Sequence, residues 1–301
     1  MEGKSLEDMA YRFCKEELSA YLIYNMLFQQ EENPKLRESL AKAAERELAH
    51  YEFWKTLAGR DCRDISKLRI NLFLLSRRLL GLTFTLRLLE RGEKKAVREY
   101  SAISESLRAE LREKVREILE DEEEHEEAWM KALAEEERVV RYLGFIALGV
   151  ADSIIELTGV FAGFLGATAS TRLAGLAGLV VGIAAALSMA GAAYAQARHE
   201  AESKVDPLTS AIATGLSYIF VVILLTTPFL LLENATIALA TSLATATAIV
   251  SAFTLYSSVI KNTSYLRDLS ETLAVMIVTI IIAYVVGYVL RELLGLHIEL
   301  P

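Results

Sequence analysis

Glu17-Leu-Ser-Ala20-Tyr-Leu-Ile-Tyr24 and Glu47-Leu-Ala-His50 return later in the chain as Glu93-Lys-Lys-Ala96-Val-Arg-Glu-Tyr100 and Glu122-Glu-Glu-His125. The two copies are offset by 76 and 75 residues, so the first half reads as a duplicated helical hairpin. Residues three apart on a helix share a face, so the Glu and His of each ExxH pair can address one ion. A Glu from each of two helices and an ExxH from each of the other two form the di-iron carboxylate arrangement. Four carboxylates and two imidazoles suit iron or manganese. ExxH alone is weak in helices this rich in Glu. The chain has only four histidines, however, and two of them fall in matching motifs.

Around this repeat the first half predicts an all-α domain with four main helices. Residues 5–32 read as the first, broken by Asn33-Pro34, because proline suits the first turn of the next helix. The second runs to about Ala58 and stops at Gly59. The third covers about 65–104, interrupted but not ended by Gly81 and Gly92. The fourth covers about 105–137.

The charge is lopsided. Residues 1–141 hold 26 of the 32 basic and 30 of the 40 acidic side chains. Most of that charge reads as solvated helix surface. A net charge of -8 gives no basic field for phosphates, so nucleic acid is not an expected partner. The opening MEGKSLEDMAYRFCKEE is too polar for a secretory signal. With only Cys14 and Cys62 and no CxxC pair, the expectation is two free thiols in a reducing cytosol.

From about residue 138 the chain changes solvent. Hydrophobic stretches occur at about 143–167, 173–195, 208–232, 235–259 and 270–290, each near the ~20 residues that cross a bilayer. The predicted domains are therefore 1–137, a soluble bundle, and 138–301, a five-helix membrane domain. Gly175, Gly178, Gly182 and Gly191 in the second stretch, and Ala, Thr and Ser in the fourth, permit close helix approach. Arg138 and Arg141, Arg198 and Lys204, and Lys261 and Arg267 flank the spans on one side. By the positive-inside rule the N-terminal domain is cytosolic and the C-terminus outside the cell membrane.

Two acids fall inside the first span. Asp152 lies about nine residues in, or ~14 Å at 1.5 Å per residue. Glu156 follows one turn later on the same face. Carboxylates at such depth are costly and usually mark an ion or proton path. Met189 offers a soft thioether at comparable depth in the second span, although a lone methionine is usually packing.

Residues 5–137 resemble the ferritin-like domains of the rubrerythrin (erythrin) group. The resemblance implies Glu17, Glu47, His50, Glu93, Glu122 and His125 as ligands of a di-iron site. It also implies Tyr24 and Tyr100 near its centre, hydrogen-bonding to ligand carboxylates. Gly149-Val-Ala-Asp152-Ser-Ile-Ile-Glu156-Leu-Thr-Gly159 and Leu187-Ser-Met189-Ala-Gly-Ala-Ala-Tyr194 resemble the first two spans of the vacuolar iron transporter family. That resemblance covers about 139–292 and implies exchange of Fe2+ or Mn2+ for protons in a homodimer, with Asp152 and Met189 on the path. Glu200 and Glu202, in the short segment after the second span, would stand at its cytosolic entrance. Together the halves resemble the membrane-bound ferritin type of fusion, associated with iron export. The expectation is a proton-coupled Fe2+/Mn2+ transporter whose bundle captures or senses the metal. The alternative is a membrane-anchored di-iron ferroxidase or peroxidase.

Overall fold

The computed structural model describes residues 6–92, 112–118, 120, 138–199 and 205–295, and all regular structure among them is helical. The chain divides into two compact units, Met1–Glu137 and Arg138–Pro301.

In the first unit, α1 (Leu6–Gln30) and α2 (Pro34–Ala58) pack side by side as a hairpin. Asn33 caps α2, its side chain accepting from the Lys35 and Leu36 amides, with Pro34 in the first turn. Gly59 ends α2 in the left-handed conformation at φ 62°, which glycine adopts without a Cβ clash. These two boundaries follow the sequence closely.

The third segment differs from expectation. α3 (Lys67–Leu80) ends at Gly81, where φ 90° and ψ 170° leave helical space, and residues 82–92 are helical again. Only glycine reaches that backbone region readily. The break is then fastened by side chains: Thr85 donates to the Gly81 carbonyl at 2.9 Å, and its oxygen pairs with that of Ser76 at 2.9 Å. Residues 93–104 lie outside those described. So does most of the expected fourth helix, which is seen as helix over 112–118.

Two apolar clusters hold this unit. One joins Ile23, Leu27, Leu36, Leu40, Leu86 and Leu89 near the hairpin turn. The other joins Phe13, Tyr51, Trp54 and Val115 near its mouth, with Cys14 and Cys62. The cysteines are not the free thiols expected. They form a disulfide with Cα atoms 6.1 Å apart at a sequence separation of 48. That spacing suits a bridge. Closing so long a loop contributes about 4 kcal/mol in the chain-entropy model. Sequence distance hid the pair: α1 and α2 run in opposite directions, so the start of one meets the residues beyond the end of the other.

The second unit contains five helices long and apolar enough to cross a membrane, making this a membrane protein. They are α4 (Leu143–Thr168), α5 (Thr171–His199), α6 (Pro207–Leu231), α7 (Ala235–Lys261) and α8 (Tyr265–Leu294), after a short turn at Arg138–Arg141. Each contains or nearly coincides with an expected hydrophobic stretch.

Small residues set their packing. Gly178 faces the Phe161 ring of α4, and Gly182 lies against Leu157 of α4 and Val222 of α6. A Cβ at either position would overlap those side chains, so α5 approaches both neighbours through its glycines. Gly191, grouped with them by sequence, instead faces open space. On α7, Ala238, Ser242, Ala246 and Val250 recur every fourth residue as one buried face. Hydroxyls tie the helices across apolar surroundings: Thr214 donates to the Phe145 carbonyl at 3.1 Å, and Ser242 to the Leu225 carbonyl at 2.9 Å. The Asp206 amide donates to the Tyr142 hydroxyl at 2.9 Å, joining the starts of α4 and α6. Asp206 also caps α6. Hydrogen bonds from the Thr209 hydroxyl and amide hold its carboxyl below its ordinary value.

Candidate metal centre and membrane cavity

The candidate metal cluster follows from counting along the hairpin. Glu17 lies 13 residues before the end of α1 at Gln30, and Glu47 lies 13 residues after the start of α2 at Pro34. Equal rises of about 20 Å from one short turn bring the two carboxylates to the same level. His50, one turn after Glu47, shares its face. One ligand atom each from Glu17, Glu47 and His50 lies within 4.8 Å of the others. His50 Nδ1 stands 3.9 Å from a Glu17 oxygen.

All three side chains are buried, at 6%, 5% and 6% exposure. Two carboxylates and an imidazole withdrawn from water carry a desolvation cost that a divalent cation between them offsets. Donor chemistry, spacing and burial therefore fit a metal ion. The set is oxygen-rich with one imidazole, which suits iron or manganese better than a thiolate-seeking metal.

Tyr24 is buried two turns further along α1, within the cluster near the hairpin turn. Glu93, Tyr100, Glu122 and His125, the matching residues of the second sequence copy, lie outside the described residues, as do Glu200 and Glu202.

The membrane unit brings together the three path residues named from sequence. Asp152 and Glu156 of α4 and Met189 of α5 line one cavity of about 530 Å³, together with Val180, Ala184 and Ser188. Both carboxylates are half-buried. Their spacing of four residues stacks them along one face of α4. Met189 also leans on the apolar core of the unit, so it serves packing and cavity at once.

Sequence reasoning missed one member of this group. Tyr218 of α6 is fully buried, and its hydroxyl donates a short hydrogen bond to Glu156. The available signal was weak, a single phenol in an otherwise apolar stretch. Burying a phenol in a membrane helix is favourable only when its hydroxyl finds a partner. Glu156 is that partner, and Tyr218 in turn fixes which way the carboxylate points. In comparisons with known proteins, the chain matches no family model, no curated protein and no solved structure.

Proposed function

We propose that this protein is a proton-coupled transporter of Fe2+ or Mn2+, acting outward from the cytosol, whose ferritin-like four-helix bundle captures or senses the cargo. The observation that carries this reading is the cavity holding Asp152, Glu156 and Met189. An anchor has no need of carboxylates at mid-span, where they are expensive. Two carboxylates and a thioether supply the ligands a partly dehydrated divalent ion requires, and the same carboxylates can take up protons when the ion leaves. The likeness of α4 and α5 to the first spans of the vacuolar iron transporter family supports the same reading. So does the buried triad in the first unit, with iron or manganese as its resident metal and Glu93, Glu122 and His125 completing a two-ion site by repeat.

The basic residues flanking the spans support a cytosolic N-terminal domain and an outer C-terminus. A homodimer is what the likeness to the vacuolar iron transporter family implies. A second reading, a membrane-anchored ferroxidase or peroxidase, is favoured by the Glu17, Glu47 and His50 cluster. Bound iron there would supply redox chemistry toward oxygen or peroxide.

The deciding experiment uses the full chain in liposomes carrying a metal-sensitive and a pH-sensitive dye. Uptake of Fe2+ or Mn2+ with opposite proton movement is expected. If neither metal nor protons move, the transporter reading is lost and the anchored enzyme remains.

Tyr218→Phe probes the cavity more finely. A hydrogen bond to a charged group contributes about 1.5–3 kcal/mol. Loss of the hydroxyl should therefore slow flux about tenfold, since 1.4 kcal/mol is a factor of ten. The phenyl ring keeps the packing, so the melting temperature in detergent should change little. Unchanged flux would mean that the orientation of Glu156 is irrelevant to the path.

A further inference from the structure

The Cys14–Cys62 bridge occupies a position the proposed function does not use. Hairpin α1–α2 is closed at one end by the three residues 31–33. At the other end, its mouth, the disulfide joins α1 to the segment beyond α2. The metal cluster lies just inside that mouth. Cys14 is three residues, about one helical turn, before Glu17, and Trp54 follows His50 by one turn and packs with both cysteines in the mouth cluster. Glu17 is the one member of the triad contributed by α1, while Glu47 and His50 come from α2. The crosslink therefore ties α1, which carries Glu17, to the segment that leaves the end of α2, which carries Glu47 and His50.

We propose that the Cys14–Cys62 pair is a redox-operated clamp on the metal centre, closed for tight binding and opened by reduction to release the ion. This rests on reading Glu17, Glu47 and His50 as a metal centre. Closure forms one S–S bond and gives up two protons and two electrons. Hydrogen peroxide accepts them and becomes two waters, or a small disulfide accepts them and becomes two thiols. Opening is the reverse of the second, two small thiols returning two electrons and two protons and leaving joined as their disulfide. Both cysteines are 0% exposed, so a reductant reaches them only when the mouth opens. The state of the pair and the state of the mouth are then one variable. With the bridge cut, α1 is held at this end by apolar contacts and by two exposed ion pairs, Asp8–Arg60 at 2.8 Å and Lys15–Asp64 at 3.1 Å. Such pairs are worth little in water, so Glu17 gains freedom that metal binding must remove.

Coupling of this kind is reciprocal. If closure tightens metal binding by some factor, bound metal must shift the thiol–disulfide equilibrium toward the disulfide by that same factor. A coupling of about 5- to 150-fold is the usual range.

The test uses the full chain in detergent with Mn2+, which keeps its oxidation state in a glutathione buffer. Mn2+ affinity is measured on the oxidised and reduced protein, and the part lost in His50→Ala is assigned to the bundle. In parallel, the thiol–disulfide equilibrium is titrated with reduced and oxidised glutathione, with and without Mn2+, scoring free thiols by alkylation and mass. Tighter binding in the oxidised protein is expected, by at least fivefold, with an equal Mn2+-induced shift of the glutathione midpoint that disappears in His50→Ala. Equal affinities in both states, with no midpoint shift, would overturn the clamp and leave the metal centre standing. Absence of any His50-dependent Mn2+ binding would overturn both. The glutathione titration needs no cysteine variant, so poor folding of Cys14→Ala or Cys62→Ala cannot obscure the answer.

Discussion

Asp152→Ala is expected to reduce Fe2+ and Mn2+ flux in liposomes by about 100-fold or more, while metal on the N-terminal unit stays at the wild-type ratio. With the cation bound, Asp152 and the ion form a pair of opposite charges out of bulk water. Removing one partner of such a pair costs about 3–5 kcal/mol, and about 2.8 kcal/mol already corresponds to 100-fold. The substitution should not unfold the membrane unit. Asp152 is half-buried and lines a cavity, so its truncation enlarges existing space and does not strip the core. Glu156 would remain, tied to Tyr218. It sits one turn away and already has a hydrogen-bond partner, so it is a poor substitute. Metal flux in reconstituted vesicles and metal content by mass spectrometry are the paired measurements. Wild-type flux in the variant would remove Asp152 from the path and, with it, the main reason for reading the cavity as a conduit.

The reverse dissociation is expected when His50→Ala is combined with His125→Ala. Disturbing groups that merely orient metal ligands costs about 10- to 100-fold in affinity. Losing the imidazoles themselves should cost at least that, leaving the N-terminal unit essentially metal-free at micromolar metal. Flux at saturating metal should persist, because the membrane cavity shares no ligand with the triad. His50 is buried, so its removal will also lower stability. A circular dichroism melt separates that effect from ligand loss. Stoichiometric iron retained on the folded double variant would rule out the ligand set. Flux that vanishes along with bundle metal would instead mean that capture is an obligatory step of transport.

How far the sequence reached depended on whether the signal was local. The hairpin α1–α2 was legible because Asn33-Pro34 and Gly59 act within one turn of themselves. The five membrane helices were legible because hydropathy over ~20 residues is a property of one segment at a time. Asp152 and Glu156 could be named from depth, and Met189 from the resemblance of its span to the transporter family, and the three meet in one cavity. Glu17, Glu47 and His50 could be named from spacing, and they meet as a buried triad.

What stayed hidden were relations between distant segments. The Cys14–Cys62 pairing needs the antiparallel course of two helices before 48 residues become 6.1 Å. Tyr218 acquires meaning only when α6 is laid against α4. The break at Gly81 was ambiguous for a different reason. A glycine inside a helical pattern costs only about 1 kcal/mol, so its presence cannot tell a tolerated residue from a terminator. The break there is fastened by local hydrogen bonds that bridge it, from Thr85 to the Gly81 carbonyl and between Thr85 and Ser76.

The matched arms of the hairpin carry a consequence for how this protein can change over generations. A single insertion in either helical arm, residues 18–30 or 34–46, rotates the ligands of that arm by about 100° relative to the turn and shifts them ~1.5 Å, which removes them from the cluster. Only a compensating change in the opposite arm restores the level, and no such change restores the facing unless whole turns are exchanged. The segment between Gly59 and α3 is free of that constraint, as it carries no ligand of the triad. Lineages of this protein are therefore expected to vary in length after residue 62 and to hold the count between Glu17 and His50 fixed.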